Sequence, residues 1–195
     1  GKRILTVGTD VPVGKMFTSL CIQREMRERG MKCDFRATGQ TGIFIVGEGV
    51  SVDAVVADFI SGAAETLSPD NDPEHWDVIE GQGSLMHASY AGVTLGLLHG
   101  SQPDAIVLCH EPTRPHMRGT PHIPMPDLQT VIDANIAAGR LFNPEIRCIG
   151  VSVNTSGLSE EDGKRYLAET EARLGLPCVD AYKDGAERLV DALEE

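Results

Sequence analysis

The stretch Gly8-Thr9-Asp10-Val11-Pro12-Val13-Gly14-Lys15-Met16 decides the fold. It follows an apolar strand, Lys2-Arg3-Ile4-Leu5-Thr6-Val7, and opens a predicted helix over 14–29 that stops at Gly30. Glycine lets the backbone fold so that its N–H groups point inward. The helix N-terminus adds a partial positive charge, and Lys15 adds a full one. The result is a phosphate cradle, with five residues between Gly8 and Gly14 where the common form of this loop has four. Gly8, Thr9, Asp10, Val13, Gly14, Lys15 and Met16 are the predicted phosphate-side residues.

Outward from this turn, short apolar strands alternate with helical patterns. Strands are expected at Lys32–Arg36, Trp76–Ile79, Ala105–Cys109, Ile146–Val153 and Cys178–Asp180. Helices are expected at 51–66 behind Ser51, at 90–99, at 127–139 capped by Asp127, at 159–174 behind Ser159, and at 184–194. The segment 112–126 holds five prolines and reads as an irregular surface loop. The alternation predicts an α/β fold: a three-layer, doubly wound, mostly parallel sheet in one domain spanning 1–195. In such sheets a ligand lies at the carboxyl ends of the strands.

Composition narrows the function classes. The 195 residues carry 17 Lys+Arg against 29 Asp+Glu, a net charge of -12. Such a chain repels nucleic acid and anionic membranes, so bound phosphate needs a local device. No apolar run reaches the length of a membrane span. Cys21, Cys33, Cys109, Cys148 and Cys178 form no CxxC pair and read as buried thiols in a reducing cytoplasm. The first residues already form a strand, which suggests a domain cut from a longer protein.

Polar residues gather at the other strand ends. Arg36-Ala37-Thr38-Gly39-Gln40-Thr41-Gly42 offers a guanidinium suited to a substrate carboxylate. Gln40, Thr41, Gln82 and Arg114 join Arg36 on the predicted substrate side. Asp53 reads as a first-turn carboxylate stabilised by the helix dipole, whereas Asp58 lies among apolar neighbours and is either exposed or functional. Glu80-Gly81-Gln82-Gly83 places a carboxylate at a strand end, which makes Glu80 the leading general base or metal-linked carboxylate. His110 and Glu111 follow the most apolar strand and can do acid–base work. His110, His116 and His122 match no metal-ligand spacing, so no metal site is expected. Asn154 can offer a donor and an acceptor to a base edge.

The spaced loop GTDxxVGK resembles that of the dethiobiotin synthetase and cobyric acid synthase group of P-loop proteins. That resemblance implies a P-loop NTPase-like fold and places Asn154 against adenine. It also implies Mg-ATP chemistry, but Met16 stands where that group has a magnesium-binding threonine. A thioether is a poor ligand for a hard cation.

A second resemblance covers nearly the whole chain. GTDVPVGKM, RATGQTGI, VDAVVADFISGA, EGQGSL, YAGVTLGLLHG and VLCHEPTRP, in that order, are similar to the C-terminal domain of the D-glutamate N-acetyltransferase family, long catalogued as a domain of unknown function. The resemblance implies acetyl-CoA as donor and a D-amino acid such as D-glutamate as acceptor. It also implies a Rossmann-like N-terminal domain outside this chain, while the resemblance to the P-loop group implies a homo-oligomer. Glu80, Asp58 and His110 are then the candidates for deprotonating the acceptor amine. Arg36 and Arg114 would hold its carboxylates, and Gly-rich backbone N–H groups would stabilise the oxyanion. Two other readings stay open: a Mg-ATP-dependent ligase or kinase, and a non-catalytic nucleotide-binding module.

Overall fold

A computed structural model describes residues 1–194. Six strands form one all-parallel sheet: β1 (Lys2–Gly8), β2 (Cys33–Arg36), β3 (Trp76–Ile79), β4 (Ala105–His110), β5 (Arg147–Val153) and β6 (Cys178–Val179). Their order is β2-β3-β1-β4-β5-β6, so β1 sits between β3 and β4 with the chain winding away on either side. That is the switch point at which such sheets open a crevice.

The helices are α1 (Lys15–Glu28), α2 (Gln40–Val46), α3 (Ile60–Leu67), α4 (Ala91–Ser101), α5 (Leu128–Gly139), α6 (Glu160–Leu174) and α7 (Glu187–Asp191). The period-2 alternation of the strands sorts the core into two layers. Leu5, Val7, Ile106, Leu108, Val151 and Val153 pack with Leu97 and Leu98 of α4 and Leu128 and Val131 of α5. Ile4, Val78, Val107 and Ile149 pack with Ile22 and Met26 of α1 and Leu189 and Val190 of α7. Every residue of β4 is buried, as a strand covered on both faces requires.

Three expected elements differ. The helix expected over 51–66 is two 3-10 turns, Val52–Ala54 and Ala57–Phe59, followed by α3. Between them the β-branched pair Val55-Val56 adopts extended backbone, with ψ of 132° and 138°. The Gly-rich turn after β2 instead winds into α2. The closing helix is shorter than expected, Glu187–Asp191. The five cysteines are free thiols, four of them buried. The Pro-rich loop is irregular apart from one bridge between His116 and Pro124. Among the described residues no helix is long and apolar enough to cross a membrane.

Candidate functional site

The turn between β1 and α1 is built on two glycines. A side chain at Gly8 would place Cβ 2.7 Å from the Asp10 carbonyl and 2.9 Å from Lys15 Nζ. Gly14 takes the left-handed conformation, φ 99°, and serves as the N-cap of α1 without a side-chain cap. The first-turn N–H groups therefore stay open toward the turn. Lys15 is buried, and its Nζ donates to the Asp10 carbonyl at 3.0 Å. Burial lowers its pKa to about 8, against the neighbouring Asp10 and Glu80 charges.

One carboxylate fixes the turn. Asp10 is fully buried; its Oδ1 accepts from the Val11 N–H at 2.7 Å. Its Oδ2 accepts from Arg114 Nη1 at 3.1 Å and from the Arg118 N–H at 2.8 Å. Arg114 also donates to the Val11 and Pro12 carbonyls and pairs with Glu111 Oε2 at 2.9 Å. Its guanidinium is thus spent on bracing the turn, where the sequence suggested a substrate anion. The Pro-rich loop is a strap laid over the turn between β1 and α1.

A cleft of 530 Å³ opens beside the turn, with Lys15, Met16, Gln40, Thr41, Glu80 and Gln82 on its wall. Glu80 is 3% exposed. Its Oε2 accepts from the N–H groups of Thr38 and Gly39 at 3.0 and 3.1 Å, and its Oε1 accepts from Gln82 Nε2 at 3.1 Å. Burial raises its pKa above the usual carboxylate value. A methyl group at Gly42 would run into Glu80 Oε2, which explains the small residue there.

The other predicted residues fall differently. Asp58 is exposed on the second 3-10 turn, off the cleft wall, because the expected helix is broken. Asp53, read as a dipole-stabilising residue, lines the cleft instead. Arg36 is turned away to Asp77 Oδ1 at 2.8 Å and Asp34 Oδ2 at 3.7 Å. His110 lies behind the turn, its Nδ1 bonded to Thr9 Oγ1 at 2.9 Å and its ring against Tyr166. Burial lowers its pKa to about 4, so it is neutral at pH 7.

Two further cavities adjoin the cleft. One, of 340 Å³, shares Val13, Gly14 and Phe17 with it and is lined by Asn154 and Tyr182. Phe17 and Tyr182 bring their rings to a 5.6 Å centroid separation. Asn154 Oδ1 accepts from the Ser156 N–H at 3.1 Å. The other, of 520 Å³, is lined by Asp53, Gln82, Tyr90, Val93 and Arg118. Arg118 had no signal in the sequence, because a lone arginine between prolines carries no spacing pattern.

A divalent cation finds little here. Thr18 Oγ1 is bonded to Ser152 Oγ at 2.8 Å, and Ser19 Oγ donates to the Lys15 carbonyl at 3.0 Å. Both hydroxyls after Lys15 are thus used inside the fold, and Met16 faces the cleft.

Comparison with known proteins agrees with this architecture. A protein of *Tritonibacter scottomollicae* named D-glutamate N-acetyltransferase is 58% identical over 193 residues, 99% of this chain and 58% of its own length. One of *Pseudoalteromonas* sp with the same name is 56% identical over 190 residues, 97% of this chain and 57% of its own length. The chain thus spans less than two-thirds of these relatives. The crystal structure of a DUF1611 family protein from *Anabaena variabilis* superposes with a TM-score of 0.93 at 40% identity, over 99% of this chain and 57% of that one. Cobyrinic acid a,c-diamide synthase from *Mycobacterium smegmatis*, with bound ADP and magnesium, superposes with a TM-score of 0.57 at 14% identity, over 97% of this chain and 91% of its own, and so shares the P-loop NTPase-like fold alone. The family described as "Domain of unknown function (DUF1611_C) P-loop domain" matches residues 1–190. The chain belongs to the DUF1611 family, as its C-terminal P-loop domain.

Proposed function

We propose that this chain is the donor-binding domain of an acetyl-CoA-dependent N-acetyltransferase acting on a D-amino acid such as D-glutamate, the rest of the protein supplying a further domain. The observation that carries the reading is the name shared by two relatives at 58% and 56% identity. The chemistry of the cleft supports it. Open N–H groups and Lys15 suit a diphosphate, while Met16 and two occupied hydroxyls remove the usual magnesium ligands. The apolar cavity with Asn154, Phe17 and Tyr182 suits an adenine ring.

Acetyl-CoA brings the acyl thioester. In the net step a C–N bond forms at the acceptor, the thioester C–S bond breaks, and a proton passes from the amine to the departing thiol. Glu80 is the residue suited to accept that proton first. It lines the cleft, burial raises its pKa above the ordinary carboxylate value, and three N–H donors hold its orientation.

Thermal shift tests the donor side. Acetyl-CoA and CoA stabilise the protein without magnesium, and Lys15→Ala weakens their binding about 10–100-fold. In the wild type the stabilisation weakens as pH rises through about 8, where Lys15 loses its proton. Stabilisation by Mg-ATP alone would favour a ligase or kinase instead. Acetylation of D-glutamate by the full-length protein tests turnover, and ligand binding without turnover would leave a non-catalytic module.

A further inference from the structure

We infer that the 520 Å³ chamber beyond Asp53 receives the acceptor, and that Arg118 holds the acceptor's carboxylate; this rests on the acetyl-transfer reading above. The chamber and the cleft share Val11, Pro12, Asp53, Gln82 and Gly83 on their walls, so they adjoin along these residues. Lys15 stands at one end and Arg118 at the other.

The arginines differ in what occupies them. Arg36 is bound to Asp77 and Asp34, and Arg114 to Asp10 and Glu111. The Arg118 guanidinium has neither an acidic partner nor a hydrogen bond among the described residues, while its backbone is held at both sides. Its N–H donates to Asp10 Oδ2 at 2.8 Å, and its carbonyl accepts from His87 Nε2 at 2.9 Å. The preceding Met117 is buried at 2% exposure. A guanidinium on so fixed a backbone is a ready bidentate partner for a carboxylate.

The order of charges matches one substrate class. Asp53 stands at the junction of the two spaces, and its charge acts on Glu80 in the cleft. Going inward from Arg118, an acceptor meets a cation and then two carboxylates. An amino acid presents the complement: its carboxylate at Arg118 and its ammonium between Asp53 and Glu80. An amine without a carboxylate leaves Arg118 unused, and on a chain of net charge -12 an anionic acceptor needs such a local cation.

The test uses the full-length protein, acetyl-CoA and D-glutamate. Arg118→Met is expected to raise the acceptor KM on the order of 10–100-fold while the acetyl-CoA KM stays within about twofold. Arg118→Lys should recover part of the loss. An acceptor KM that moves no more than the donor KM overturns the inference. Should the wild type acetylate no amino acid, the acetyl-transfer reading falls on its own. Calorimetric binding of D-glutamate in the presence of CoA then decides the chamber: binding lost in Arg118→Met sustains it, and binding that is absent or independent of Arg118 overturns it.

Discussion

At the scale of single residues, burial sets the chemistry. His110 carries a pKa of about 4 because its ring is enclosed between Thr9 and Tyr166. A base whose folded pKa lies below its unfolded value stabilises the fold fully above the unfolded value, 6.5, and loses that contribution as pH falls toward 4. The loss amounts to roughly 3 kcal/mol. Urea denaturation of wild type and His110→Gln between pH 7.5 and 4.5 should therefore show the wild type falling more steeply. The same scale shows what a sequence conceals. The tight turn at Gly8, Gly14 and Lys15 was legible because its geometry is local. The roles of Arg36 and Arg114 were not, because the buried carboxylates that hold them, Asp77 and Asp10, lie 41 and 104 residues away in the chain.

At the scale of elements, caps and breaks decide which side chains reach the cleft. Asp127 was readable as an N-cap from its place before an apolar run, and it accepts from the Gln129 and Thr130 N–H groups. It also pairs with Arg173 of α6 at 2.7 Å, joining two helices on one face of the sheet. Asp127→Ala should cost about 1 kcal/mol, read as a lowered urea midpoint with unchanged slope. The segment after α2 was misread for the opposite reason. Helical spacing over 51–66 ignored the preference of Val55-Val56 for extended backbone, and that preference moves Asp58 off the cleft and brings Asp53 onto it. Gly39 and Gly42 read as turn residues, yet their smallness serves the close approach of Glu80.

At the scale of the whole molecule, strand order was legible only as a class. Alternation gave a parallel sheet, and the position of β1 between β3 and β4 emerges from packing. The net charge of -12 has a kinetic consequence. The proposed polyanionic donor would approach a like-charged body, so its association rate should rise with added salt until local pairing with Lys15 is screened. Stopped-flow measurement across about 20–200 mM salt checks this over the range of the Debye length. Finally, Asp10 binds the phosphate turn, the strap's guanidinium and the Arg118 amide through one carboxyl group. On the proposed reading, a donor that orders this turn also orders the backbone from which Arg118 projects. If the acetyl-transfer proposal holds, product-inhibition kinetics of the full-length protein should show donor first and acceptor second, with CoA competitive against acetyl-CoA and noncompetitive against the amino acid.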